Sequence, residues 1–136
     1  PRQQKKPHRG LADYFRSDSH DVLAITLVSA GRAFSQYEAE LYKENKYHEY
    51  YLAHGLSVEL AEALAEIAHK NIRMELGILQ KEKASLYDIK MTNYQGKRYS
   101  PGYAACPDLE LSLPIFKLLK PEEFGITLSE TFQIVP

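Results

Sequence analysis

A single cysteine, Cys106, is present, so no disulfide can close within the chain. A lone thiol without a secretion signal points to a reducing, cytoplasmic compartment. A long hydrophobic run is also lacking. The longest aliphatic-rich stretch, Val22 to Val28, falls well short of the roughly 20 residues a helix needs to cross a bilayer, and no membrane association is expected. Neither sign of charge dominates: 17 Lys and Arg stand against 18 Asp and Glu, for a net charge of -1. No global field draws such a chain onto nucleic acid or an anionic surface, so partners must be recognised locally. Internal repeats and low-complexity tracts are absent.

Several chemistries fail on spacing. The five histidines, His8, His20, His48, His54 and His69, include no His-x-x-x-His pair, and one cysteine cannot build a thiolate cage, so no metal site is expected. Gly96-Lys97 would need a glycine at position 91 to form a phosphate loop, and Met91 stands there. A Cys–His nucleophilic pair on Cys106 stays open because partners meet in space; flanked by Ala105 and Pro107, Cys106 reads more simply as a small buried residue. Glu62 and Glu66, four apart, read either as paired carboxylates or as a solvated helix face.

What is present suits one globular domain: 136 residues, 44% hydrophobic and 26% charged. Residues 1–10 (PRQQKKPHRG) carry Arg2, Lys5, Lys6 and Arg9 with no acid or aliphatic side chain. They form a basic, linker-like arm, solvated or docked on a partner. The domain proper runs from 11 to 136. Leu11 to Phe15 is a short amphipathic piece. Asp21 to Ser29 (DVLAITLVS), aliphatic on both faces, predicts a central strand.

From Arg32, Phe34, Tyr37, Leu41 and Tyr42 recur at helical intervals, continued by Tyr47, Tyr50 and Tyr51 until Gly55, which predicts a C-terminal stop. The tyrosine stripe reads as core or groove lining, or as a stacking surface. A second helix is expected from a Ser57 cap to Gly77, with an apolar face of Leu60, Ala61, Leu64, Ala65, Ala68 and Ile72. Its other face stacks Glu62, Glu66, His69 and Arg73. Residues 78–90 read as connective, with a turn of helix after Ser85. A third helix fits Leu113 to Leu119, capped by Ser112 and ended by Pro121. Ile126 to Leu128 and Thr131 to Val135 read as strands. The expected fold class is α+β, with helices packed on a largely antiparallel sheet, as an incomplete portion of a larger domain.

Between residues 91 and 108 lies turn-rich sequence (MTNYQGKRYSPGYAACPD) of the kind that carries function. Its segment Arg98-Tyr99-Ser100-Pro101-Gly102-Tyr103 suits a zwitterionic amino acid joined to an aromatic cation. Arg98 offers a planar fork to a carboxylate, Gly102 admits close backbone approach, and Tyr103 offers an aromatic face. Alone, Arg-x-x-x-Gly-Tyr is equally a structural turn.

Three separated blocks, His54–Glu66 (HGLSVELAEALAE), Arg98–Glu110 (RYSPGYAACPDLE) and Ile115–Pro136 (IFKLLKPEEFGITLSETFQIVP), resemble the activation domain of cobalamin-dependent methionine synthase. A weaker likeness spans Leu11 to Gly31. The resemblance implies that Arg98, Gly102 and Tyr103 bind S-adenosylmethionine, that Ser100 contributes a backbone contact, and that Glu62 presents an acid to the ligand's positive groups. Glu66 takes a structural or supporting place. Thr92 stands where some members carry an acid. The implied activity is reductive methylation, and so reactivation, of cob(II)alamin in methionine biosynthesis. The cobalamin is held by another domain of the same enzyme, and a flavodoxin-like or related flavoprotein supplies the electron. No catalytic acid, base or nucleophile is required of this portion, which orients the methyl donor and by itself is not expected to be catalytically competent. The competing expectation is a docking module that contacts the cobalamin-carrying domain or the electron donor.

Overall fold

In the computed structural model, residues 8–79, 87, 89, 91 and 93–136 are described. The architecture is mainly helical. A 3-10 turn at Leu11–Tyr14 leads into irregular chain, followed by α1 (Arg32–Lys43) and the long α2 (Tyr47–Glu75). After the turn-rich segment come a 3-10 turn at Leu109–Leu111, α3 (Ser112–Leu119), another 3-10 turn at Pro121–Phe124, and the strands β1 (Thr127–Leu128) and β2 (Ile134–Val135).

Helix α1 stops where the chain turns left-handed. Asn45 has φ 59°, its N–H donates to Tyr42 O at 3.1 Å, and the Lys46 N–H reaches back to Leu41 O at 3.0 Å. That pair of bonds satisfies the last carbonyls of the helix, with asparagine in the place glycine usually takes. The break therefore falls ten residues before the expected one at Gly55, and α2 runs through Gly55 without interruption. A glycine inside a helix costs only about 1 kcal/mol, too little to end a helix that packs on α1. Ser57 accordingly does not cap; its hydroxyl donates to His54 O at 2.9 Å. At the far end the expected stop holds. Gly77, at φ 69°, donates to Met74 O at 3.1 Å while Ile78 donates to Arg73 O at 3.0 Å, repeating the same closure.

Among the described residues apolar burial is modest: Leu41 of α1, Ala53 of α2, and Ala105, Cys106 and Phe116. Leu60 and Leu64, expected on the buried face of α2, are exposed. The tyrosine stripe is not core, since Tyr37, Tyr42, Tyr47 and Tyr51 are exposed. Tyr42 packs edge-on against Tyr47 and Tyr50, with ring centroids 5.5 and 5.4 Å apart, at the elbow between the two helices.

The expected central strand is corrected. Asp21 to Ser29 contains no strand, and Val22 and Leu23 are 60% and 65% exposed. A strand exists by pairing its backbone groups with a neighbour, and none of the described residues offers one. The sheet is correspondingly small: β1 and β2 form a single antiparallel pair, with Thr127 opposite Val135 and Leu128 opposite Ile134. The α+β reading thus survives with a minor sheet in place of a largely antiparallel one. The third helix lies where its pattern predicts, but Ser112 is its first residue and not its cap, since no side chain caps this helix. The expected strands are shorter, Thr127–Leu128 and Ile134–Val135, because the chain turns between them with Phe132 at φ 61°. The 1–10 arm, apart from His8 to Gly10, and Thr92 lie outside the described residues. Of the helical turn expected after Ser85, only Tyr87 and Ile89 are described, and both are helical.

Candidate functional site

Intervals of four, three and four place Glu62, Glu66, His69 and Arg73 along one side of α2, and the 93–108 segment lies across that side. Arg98 bridges two of the acids: Nη2 donates to Glu62 Oε1 at 2.6 Å, and Nη1 donates to Glu66 Oε2. The Tyr94 hydroxyl donates to the same Glu66 oxygen at 2.9 Å. From the other side Arg73 Nη2 stands 3.6 Å from Glu66 Oε1, its Nη1 lies 2.9 Å from His69 Nδ1, and its guanidinium carbon sits 3.8 Å above the Tyr94 ring centroid. Because a guanidinium only donates, His69 Nδ1 accepts in that bond.

Exposure falls steeply along this seam. The side chains of Glu62, Arg98, Glu66 and Arg73 are 70%, 29%, 19% and 3% accessible. Glu62 and Glu66 are therefore not equivalent acids, although both meet Arg98. Burial pushes the Glu66 carboxyl upward, but hydrogen bonds from Arg98 and Tyr94, and the charges of Arg98 and Arg73, overcome it and hold the group below its ordinary range. Burial and the bond to Glu66 raise the Tyr94 phenol in turn. The buried Oε1 atom of Glu66 accepts no hydrogen bond among the described residues.

Close approach of the segment to the helix depends on Gly96. Its φ is +91°, and a Cβ there would stand 3.3 Å from His69 Nε2 and 3.7 Å from Arg73 Cδ. Beyond Arg98 the chain folds into a compact turn: Tyr103 N donates to Ser100 O at 3.4 Å, Cys106 N to Tyr103 O at 2.9 Å, and Gly102 N to Cys106 O at 2.7 Å. At φ +93°, Gly102 would bring a Cβ to 3.0 Å from Leu109 Cδ2, so both its backbone angle and its surroundings favour glycine. Ala105 and Cys106 anchor the turn by burial, which is the plainer of the two readings of Cys106. Ser100 is exposed, and Tyr103 presents a ring that is 69% accessible. Before the turn, Tyr99 packs on Tyr14 at 5.1 Å; burial and a hydrogen bond with Tyr14 push its phenol up to about 12.

Two of the residues singled out by sequence, Arg98 and Glu62, are thus in direct contact, and the other three, Ser100, Gly102 and Tyr103, form the adjoining turn. Sequence reasoning assigned no role to Tyr94, which sits between the two arginines as ring and hydroxyl at once. Its only signal was its place two residues before Gly96, since a segment that must approach a helix brings its neighbours into contact with it.

Comparison with known proteins adds an independent line. All residues 1–136 match the family model described as the vitamin B12 dependent methionine synthase activation domain. The methionine synthases of Mycobacterium leprae (strain TN) and Mycobacterium tuberculosis (strain ATCC 25618 / H37Rv) are each 38% identical to it over 149 aligned residues, which take in 100% of this chain and 12% of each relative. The chain thus spans about an eighth of their length. Among solved structures, the MetH reactivation domain bound to AdoHcy superposes with a TM-score of 0.69 at 30% identity, over 76% of this chain and 32% of that one. On these matches the chain belongs to the family of vitamin B12-dependent methionine synthase activation domains.

Proposed function

We propose that this chain is the part of a cobalamin-dependent methionine synthase that binds S-adenosylmethionine and holds it for reductive methylation of a cobalamin carried on another domain of the same enzyme. The observation that carries the reading is the Arg98–Glu62 contact beside the exposed turn from Ser100 to Tyr103. A guanidinium fork, a partly exposed carboxylate and an open aromatic ring, set on adjoining elements, match the carboxylate, the ammonium and sulfonium, and the adenosyl part of one ligand. AdoHcy, held by the solved relative, is what S-adenosylmethionine becomes on losing its methyl group.

In this reading Arg98 receives the ligand carboxylate, Glu62 neutralises its positive groups, Tyr103 packs on the adenosyl portion, and Ser100 and Gly102 let backbone approach. S-adenosylmethionine supplies the methyl group. The chain contributes position, with no acid, base or nucleophile of its own, and its effect is one of proximity. The electron comes from a flavodoxin-like or related flavoprotein. Residues 11–136 act as the central part of the activation domain, with 1–10 as a basic linker. The buried lone thiol of Cys106 suits a reducing, cytoplasmic setting.

Calorimetric titration of S-adenosylmethionine into the chain tests this directly. Saturable binding is expected, and Arg98→Ala is expected to weaken it at least about tenfold, as loss of a charge-assisted bidentate contact does. An absence of heat with the unaltered chain contradicts the reading and leaves the docking module in its place.

A further inference from the structure

Arg98 meets two carboxylates that differ in every respect except charge, and the ligand of the proposed function brings a third. Each Nη group of the guanidinium already donates to a carboxylate, Nη1 to Glu66 and Nη2 to Glu62, so a ligand carboxylate that binds through an Nη group competes with one of them. Glu62 is 70% exposed and has no other hydrogen bond or ion pair among the described residues, whereas Glu66 is 19% exposed and is held at the same time by the Tyr94 hydroxyl at 2.9 Å and by Arg73 at 3.6 Å. Arg73, 3% exposed, is fixed in turn by His69 and by the face of Tyr94. Displacing Glu66 would leave a buried carboxylate between two arginines with one partner fewer, which is costly; displacing Glu62 releases a side chain into water.

Resting on that proposed function, we infer that Glu66 is the positioning residue of the site: it keeps one edge of Arg98 fixed while the ligand carboxylate replaces Glu62 on the other edge. The exchange leaves the charge at Arg98 unchanged, since one carboxylate succeeds another. It also frees Glu62 at the moment a cationic ligand arrives, so that both ends of the ligand are answered by one rearrangement. Glu66 acts through Arg98 and does not itself touch the ligand. Tyr94, and the Gly96 that lets its segment lie against α2, belong to the same support.

A ligand without the carboxylate separates this from a merely structural role. S-adenosylmethionine and its decarboxylated analogue are titrated into the unaltered chain, Glu66→Gln and Tyr94→Phe, with thermal melting to show that each variant is folded. Glu66→Gln is expected to weaken S-adenosylmethionine about tenfold, as the loss of one charge-assisted hydrogen bond on Arg98 does, and to change the analogue by less than about twofold. Tyr94→Phe, which removes one hydroxyl, is expected to shift binding in the same selective direction by about threefold, and it carries the test should Glu66→Gln fail to fold. Equal weakening of both ligands by the variants, or no weakening of either, overturns the inference while leaving the proposed function standing. Failure of the unaltered chain to bind S-adenosylmethionine overturns both.

Discussion

Asp21 to Ser29 and the Glu62–Arg73 stretch of α2 make an instructive pair. The first is the most aliphatic run in the chain, yet Val22 and Leu23 stand largely exposed. The second is rich in charge, yet His69 and Arg73 are among the most buried side chains. Hydrophobicity alone would have ranked them the other way. What distinguishes them is where partners come from. A strand needs its neighbour's backbone, which the described residues do not supply to 21–29. A charged side chain needs a counter-charge and hydrogen bonds, which Tyr94 and Arg98 bring to α2 from about thirty residues away.

The contrast predicts that polar truncation on α2 outweighs apolar truncation in 21–29. The largest effect is expected from Arg73→Ala, which leaves the Glu66 carboxylate short of a buried counter-charge and removes the cation above Tyr94. By analogy with broken buried pairs, stability to urea should fall by about 3 kcal/mol. Next comes pH. Because the Glu66 carboxyl is held below the ordinary value of 4.5, the unfolded chain takes up that proton first as pH falls. Its stabilisation is therefore complete above about pH 4.5 and is lost as the pH drops through the lower folded value. The urea midpoint should decline through that acid window, and Glu66→Gln should flatten the decline. Smallest of all, Leu23→Ser should change stability by no more than about 0.5 kcal/mol, as substitutions at exposed positions do; a loss of several times that would mean that 21–29 is paired after all.

The same contrast explains which parts were legible in the sequence. Local signals worked where the physics is local. Gly77 closes α2, Pro121 follows the end of α3, and the last two residues of the Thr131 to Val135 alternation, Ile134–Val135, form a strand. The four polar residues on one side of α2 follow from helical spacing alone. Signals failed where two local preferences competed, as at Asn45 against Gly55: both can end a helix, and the packing of α1 on α2 decides. They failed again where the outcome depends on distant chain, as for Asp21 to Ser29. At the proposed site, Arg98, Ser100, Gly102, Tyr103 and Glu62 could be singled out as residue types. That Arg98 meets Glu62 and Glu66, and that Tyr94 locks Glu66 in place, are contacts across 28 to 36 residues that no spacing rule encodes.

The central claim is that the face formed by Arg98, Glu62 and the Ser100–Tyr103 turn takes S-adenosylmethionine. Nitrogen-15 correlation spectra recorded during a titration with that ligand read this face residue by residue. The account predicts concerted, saturable movement of the Gly102 and Tyr103 amides and of the Arg98 side-chain N–H, while the amides around Asn45, at the elbow of α1 and α2, stay still. Spectra that do not move, or that move at the tyrosine elbow and leave the Arg98 turn untouched, would contradict it.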